Sequence, residues 1–139
     1  DPNNPDGPNL KDPKVVKKVE QMNNHGMVAS NLYSKILEFM DSEDYKSEKS
    51  TDDYIQSIIN ARFAIGKIFS GMLPQNISQR IELLRNSLSH YQFIRDFIKQ
   101  KGKEHGGLGF NFQEQLKMCD EMCDLLPIKI DKIRMGFMN

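Results

Sequence analysis

From Val15 to Met40, apolar or small residues return at alternating steps of four and three: Val15, Val19, Met22, Gly26, Ala29, Tyr33, Ile36 and Met40. A helix turns once in about 3.6 residues, so this spacing draws one apolar stripe along a helix of about 28 residues. A strand, whose period is two, cannot carry it. Asp12-Pro13 supplies the start, because an Asp at the N-cap accepts backbone N–H groups and Pro suits the first helical position. The opposite stripe, Lys14, Lys17, Gln21, Asn24, Asn31, Lys35 and Glu38, is polar. So long an amphipathic rod must bury its apolar side against a second element.

Further helical segments supply it. Asp52 to about Met72 places Ile55, Ile58, Ile59, Ala61, Phe63, Ile65, Ile68 and Phe69 around nearly the whole circumference, which predicts a central helix. Leu73-Pro74-Gln75 breaks the chain, and Asn76 with Gln79 opens a third helix in the manner of a capping box. Its apolar face is Ile77, Ile81, Leu84, Leu88, Tyr91 and Ile98, widened by Phe93, Ile94 and Phe97. Its polar face is Glu82, Arg85, Ser89, Gln92, Asp96 and Lys99, and Gly102 is the expected stop. Asn111 and Glu114 give a second capping-box signature before Phe112, Leu116, Cys119, Cys123 and Leu126. Pro127 is expected to kink or end that helix, with Ile130, Ile133 and Phe137 on a further segment or its continuation. The fold class is all-α: antiparallel helix pairs, closed as a four-helix arrangement or stacked as the end of a tetratricopeptide-like α-solenoid. Residues 1–11, rich in Pro and Asn, are expected to be a disordered lead-in to a helical unit over 12–139.

The chemistry needed for catalysis is missing. His25, His90 and His105 fall in different elements, none at ligand spacing from another His or a Cys. Cys119 and Cys123 could supply two zinc ligands, but no second pair exists, and both lie on an apolar stripe as packed thiols of a reducing compartment. Gly106, Gly107 and Gly109 lack the Lys-Ser/Thr of a phosphate loop. No metal, cofactor or catalytic residue is therefore expected. Nineteen basic residues balance nineteen acidic ones, too few in excess for a nucleic-acid surface, and no apolar run approaches a membrane span. The acidic stretch Asp41–Asp53 reads as a solvated loop, with an electrostatic docking strip as the alternative. A chain opening on Asp1 is expected to be a segment of a longer one.

Three stretches carry a resemblance: Ala61–Ser70 (ARFAIGKIFS), Ser87–Phe97 (SLSHYQFIRDF) and Glu121–Arg134 (EMCDLLPIKIDKIR), with Val15–Phe39 following more loosely. In order and spacing they resemble the C-terminal part of the KIF-binding protein family, tetratricopeptide-like regulators of kinesin motors. The resemblance implies a right-handed superhelix of helix pairs and a cytoplasmic, cytoskeleton-associated scaffold with no catalytic residues. It further implies that kinesin motor domains are bound and kept from microtubules by occupation of a surface. On that reading helices one and three line the concave side, and Lys17, Lys35, Arg85, Gln92, Asp96 and Lys99 are the candidate partner contacts. A helical-repeat adaptor for another cytosolic protein is the alternative. Self-association through an exposed solenoid face is a third possibility.

Overall fold

The computed structural model describes residues 11–42, 52–104 and 112–136. Four helices follow in chain order: α1 (Pro13–Met40), α2 (Asp52–Gly71), α3 (Ile77–Glu104) and α4 (Gln113–Arg134). No strand occurs among the described residues, and the all-helical expectation holds. Most of the lead-in, most of the acidic stretch, the glycine loop with Asn111, and Phe137 lie outside the described residues.

Three helix starts are built by the residues that announce them, whereas α4, announced by Asn111 and Glu114, has Phe112 at its N-cap with no side-chain hydrogen bond there. Asp12 Oδ1 accepts the Lys14 N–H at 2.9 Å, and Pro13 takes the first helical position. Asp52 and Asp53 place negative charge in the first turn of α2, where the helix dipole favours it. Asn76 Oδ1 accepts the Gln79 N–H at 3.2 Å as α3 opens. One stop differs from expectation, and at the other one of the two expected outcomes is found. α3 runs two residues past Gly102, a shift within the usual blur of helix ends. α4 continues through Pro127 to Arg134 without ending there. Pro127 itself is exposed, whereas Leu126, Ile130 and Ile133 around it are buried, so packing on both sides of the proline outweighs its cost of about 3 kcal/mol.

Each helix packs on its neighbour in sequence: α1 on α2, α2 on α3, α3 on α4. The main core joins α2, α3 and α4 through Ile55, Ile59, Leu84, Tyr91, Ile94, Ile98 and the α4 residues Cys119, Leu126, Ile130 and Ile133. As expected from its all-round apolarity, α2 is the central helix, touching both α1 and α3. In α3 the buried line runs through Arg80, Leu84, Ser87, Tyr91, Ile94 and Ile98, while Ile77, expected on the apolar face, is exposed. In α1 only Ser30 and Met40 are fully buried. Met22 and Ile36 of the expected stripe are about half exposed, at 45% and 47%. The packed line keeps Val15, Val19, Gly26, Ala29, Tyr33 and Met40 of the expected stripe and widens to one side of it through Val16, Asn23, Ser30 and Leu37.

Two glycines set the helix spacing. A Cβ on Gly66 of α2 would lie 3.0 Å from Tyr91 Cζ of α3, and one on Gly26 of α1 would lie 3.1 Å from Ile68 Cγ2 of α2. The Tyr91 ring also meets Phe63 of α2 edge-to-face, centroids 5.5 Å apart, which limits its room to yield. Gly66→Ala gains about 1 kcal/mol of helix propensity but forces an overpacking cost of about 1–3 kcal/mol. The net expectation is a loss of about 1 kcal/mol. Gly71, with nothing within 4 Å of its added Cβ, is the control, and Gly71→Ala should be neutral or gain about 0.5 kcal/mol. Urea midpoints of the two variants, shifted in opposite directions or with only Gly66→Ala shifted, check this.

Candidate functional site

Among the described residues, no three His, Cys, Asp or Glu side chains gather as metal ligands would. Cys119, Cys123 and His90, wholly or partly buried, are held in forms that resist the roles of nucleophile and base. Burial, with the Cys123 and Asp120 charges behind it, pushes the Cys119 thiol up to about 12, and burial also raises Cys123. A thiol so shifted stays protonated and inert. His90 lies against α2: the Arg62 Nη1–H donates to its Nδ1 at 3.3 Å, and the Phe69 ring stands 6.1 Å away. Burial first, and the Arg62 charge second, lower its pKa to about 4. Arg62 itself stacks on the Phe93 ring at 4.0 Å from the centroid. The cluster stiffens the α2–α3 seam.

The concave feature of the surface is a groove of about 740 Å³ between α1 and α3. Its floor is the chain break Met72–Asn76; Val19, Glu20, Asn24 and Met27 of α1 form one wall, and Gln79, Glu82 and Leu83 of α3 the other. A chain break makes a poor floor unless its backbone groups are satisfied. Two side chains satisfy them. Asn23 of α1 clamps Leu73, its Nδ2–H donating to the carbonyl at 3.1 Å and its Oδ1 accepting the N–H at 2.9 Å. Arg80 of α3, only 4% exposed, donates from Nη1 to the Ser70 carbonyl at 2.9 Å and also to the Met72 carbonyl. Burial lowers the Arg80 pKa, and its Nε has no hydrogen-bond partner, so these two carbonyls are what hold the cation in place.

The same layering recurs on the other side of the stack. α2 and α4 share a groove lined by Ile59, Phe63, Lys67, Glu114 and Met118, and a smaller one where Ser70 meets Met122 and Leu126. Helices one and three thus share one layer and helices two and four the other. Of the six candidate contacts, Lys17 and Lys35 are exposed on α1, and Arg85, Gln92, Asp96 and Lys99 are exposed along α3. None of them lines the groove. The α3 four continue the stripe that starts at Glu82 in the groove wall, so groove and stripe form one strip of surface. Asp96, with its side chain 75% exposed, meets Arg95 Nε at 3.6 Å, a surface pair of little energetic weight. Asn23 and Arg80, which build the floor, and Glu20, which lines it, were not singled out from sequence. Of the other lining residues, Glu82 and Asn24 were visible as members of polar stripes, and Leu73–Asn76 and Gln79 as a chain break and helix start.

Compared with known proteins, residues 4–133 match the family model described as KIF-1 binding protein C terminal. The KIF-binding protein of Homo sapiens is 25% identical over 127 residues, 90% of this chain and 20% of the relative. That of Danio rerio is 25% identical over 120 residues, 86% of this chain and 18% of the relative. That of Gallus gallus is 22% identical over 117 residues, 84% and 19% respectively. The chain therefore spans about a fifth of the length of the curated relatives it matches. No solved structure matches.

The buried histidine gives the molecule a pH dependence. Because its folded pKa lies below its unfolded one, its contribution is fully present above about pH 6.5 and is lost as pH falls toward about 4. Allowing for the solvent that still reaches the ring, the loss is at most about 2 kcal/mol. Urea unfolding at a series of pH values should show the parent losing more stability over this range than His90→Gln; parallel curves would refute the assignment.

Proposed function

Because the chain belongs to the family described as KIF-1 binding protein C terminal, we propose that it is a non-enzymatic binding module for kinesin motor domains. The observation that carries this reading is the family match across nearly the whole chain, to relatives named KIF-binding protein. The α1–α3 layer supports it, since an open groove continued by an exposed polar stripe suits a surface that recognises another protein. On this reading Arg85, Gln92, Asp96 and Lys99, with Lys17 and Lys35 on α1, contact the motor. Occupation of its track-binding surface then keeps it off microtubules, and the module works in the cytoplasm beside the cytoskeleton. No helix among the described residues is long and apolar enough to cross a membrane. The expected outcome is capture of at least one member of a panel of purified kinesin motor domains by the immobilised chain. Added chain should also lower that motor's co-sedimentation with microtubules. Folded chain that captures no motor ends the reading, and capture without loss of co-sedimentation removes its blocking step.

A specific observation favours self-association as a second property. Besides its packed line, α1 carries Val28, Leu32, Ile36 and Phe39 on another side, each between 47% and 60% exposed. A contiguous exposed apolar stripe is costly in water and is relieved when a second surface covers it. Light scattering should show a mass that rises with concentration, and Leu32→Glu should hold the chain monomeric. A monomeric parent at every concentration removes self-association and leaves motor binding standing.

A further inference from the structure

The α1–α3 groove has a chemical character that the motor-binding reading does not specify. Of the residues that line it, only Glu20 and Glu82 are charged, one on each wall, and no lysine or arginine joins them. The cation nearest the floor, Arg80, is buried and engaged by the carbonyls of Ser70 and Met72. Between the two carboxylates the surface is apolar: Met27 is 43% exposed at the α1 wall, opposite Leu83, above the Leu73–Pro74 floor. Asn24, Gln75, Asn76 and Gln79 supply amide groups that can donate to and accept from the main chain of a guest. A site of this size and make-up, apolar with a few placed polar groups, is what a short segment of a partner requires.

We propose that this groove receives a partner segment in which a large apolar side chain sits beside a lysine or arginine. Met27, Leu83 and Pro74 seat the apolar group, and Glu20 and Glu82 select for the neighbouring positive charge. The inference rests on the protein-binding reading of the same surface and names the part of the partner it takes. The groove is preorganised: Asn23 fixes Leu73 from α1 and Arg80 fixes the end of α2 from α3, so a guest need not order the floor. The opening turn of α3 meets the groove at Asn76, and a helix N-terminus by itself favours anions. An acidic guest is therefore the competing occupant, and charge reversal in the probe separates the two.

The test measures fluorescence anisotropy with a labelled peptide of repeated Gly-Leu-Lys units and its Gly-Leu-Glu counterpart. The lysine peptide should bind at least about tenfold more tightly, and salt should weaken it. Glu20→Lys combined with Glu82→Lys should abolish that preference. Glu121→Lys combined with Asp124→Lys, the same change of charge on exposed positions of α4, should retain it, with thermal melts confirming that both double variants fold. Equal binding of the two peptides, tighter binding of the acidic one, no binding of either, or identical behaviour of the two double variants overturns the proposal. Motor capture separates it from the family reading. A motor held equally well by the parent and the Glu20/Glu82 variant refutes the groove alone, whereas a parent that shows the peptide preference but captures no motor refutes the motor alone.

Discussion

The close approach of α2 and α3 at Gly66 is the contact from which the rest of the stack takes its geometry. With no Cβ there, the Tyr91 ring lies against the α2 backbone, and the Ser87 hydroxyl donates to the Gly66 carbonyl at 2.6 Å. Two helices brought this near interlock over a long line, with Leu84 above the contact and Ile94 and Ile98 below it. The far side of that line is what α4 packs on, with Cys119, Leu126, Ile130 and Ile133. Gly26 repeats the device on the other flank of α2, where α1 meets Ile68 and Met72. α1 lacks the second neighbour that α3 has, and accordingly buries only two side chains fully.

That asymmetry explains why most helix boundaries were legible and the facing of α1 only in part. Caps and breaks act locally, and Asp12, Asp52, Asn76 and the Leu73-Pro74 pair place ends where the chain has them. Periodicity, by contrast, reports the sum of all apolar surface on a helix. α1 carries two stripes, one packed through Gly26, Ser30 and Leu37, the other exposed through Val28, Leu32 and Phe39. The expected stripe follows the packed one for most of its length but takes in Ile36 of the exposed one, and Met22, both about half exposed. The same limit hid Ser30 and Ser87: a small hydroxyl that satisfies itself on a nearby carbonyl can replace an apolar residue where helices touch. In α4 the sequence left both outcomes open at Pro127, and buried neighbours on either side of it go with continuation.

The site was less legible than the fold because its parts come from different helices. Asn23 reads as one more polar residue of α1 until Leu73 is brought against it, and Arg80 as an ordinary basic residue until the end of α2 is seen to need donors. Both answer one problem. α2 must stop beneath α1 and α3, in a place where water cannot easily reach its last carbonyls. An intervening glycine turn could have satisfied some of them from within the chain. Here Leu73-Pro74 follows instead, with no N–H at Pro74, and the missing partners come from the flanking helices.

A groove follows from that solution. Side chains that reach down to hold the break draw α1 and α3 toward it without packing them against each other, so the two walls stand apart over a fixed floor. The residues committed to the floor are the amide and the guanidinium, both spent on backbone. What remains to meet a partner is the carboxylate on each wall, the other amides of the lining and the apolar surface beside them. The interior groups move the opposite way: Cys119 and Tyr91 are each pushed up to about 12 and His90 down to about 4, chiefly by burial, so all three remain neutral at physiological pH. Apart from Arg80, whose cation is spent on backbone carbonyls, charge is thus kept toward the surface, and the chemistry available to a partner is recognition by shape and sign.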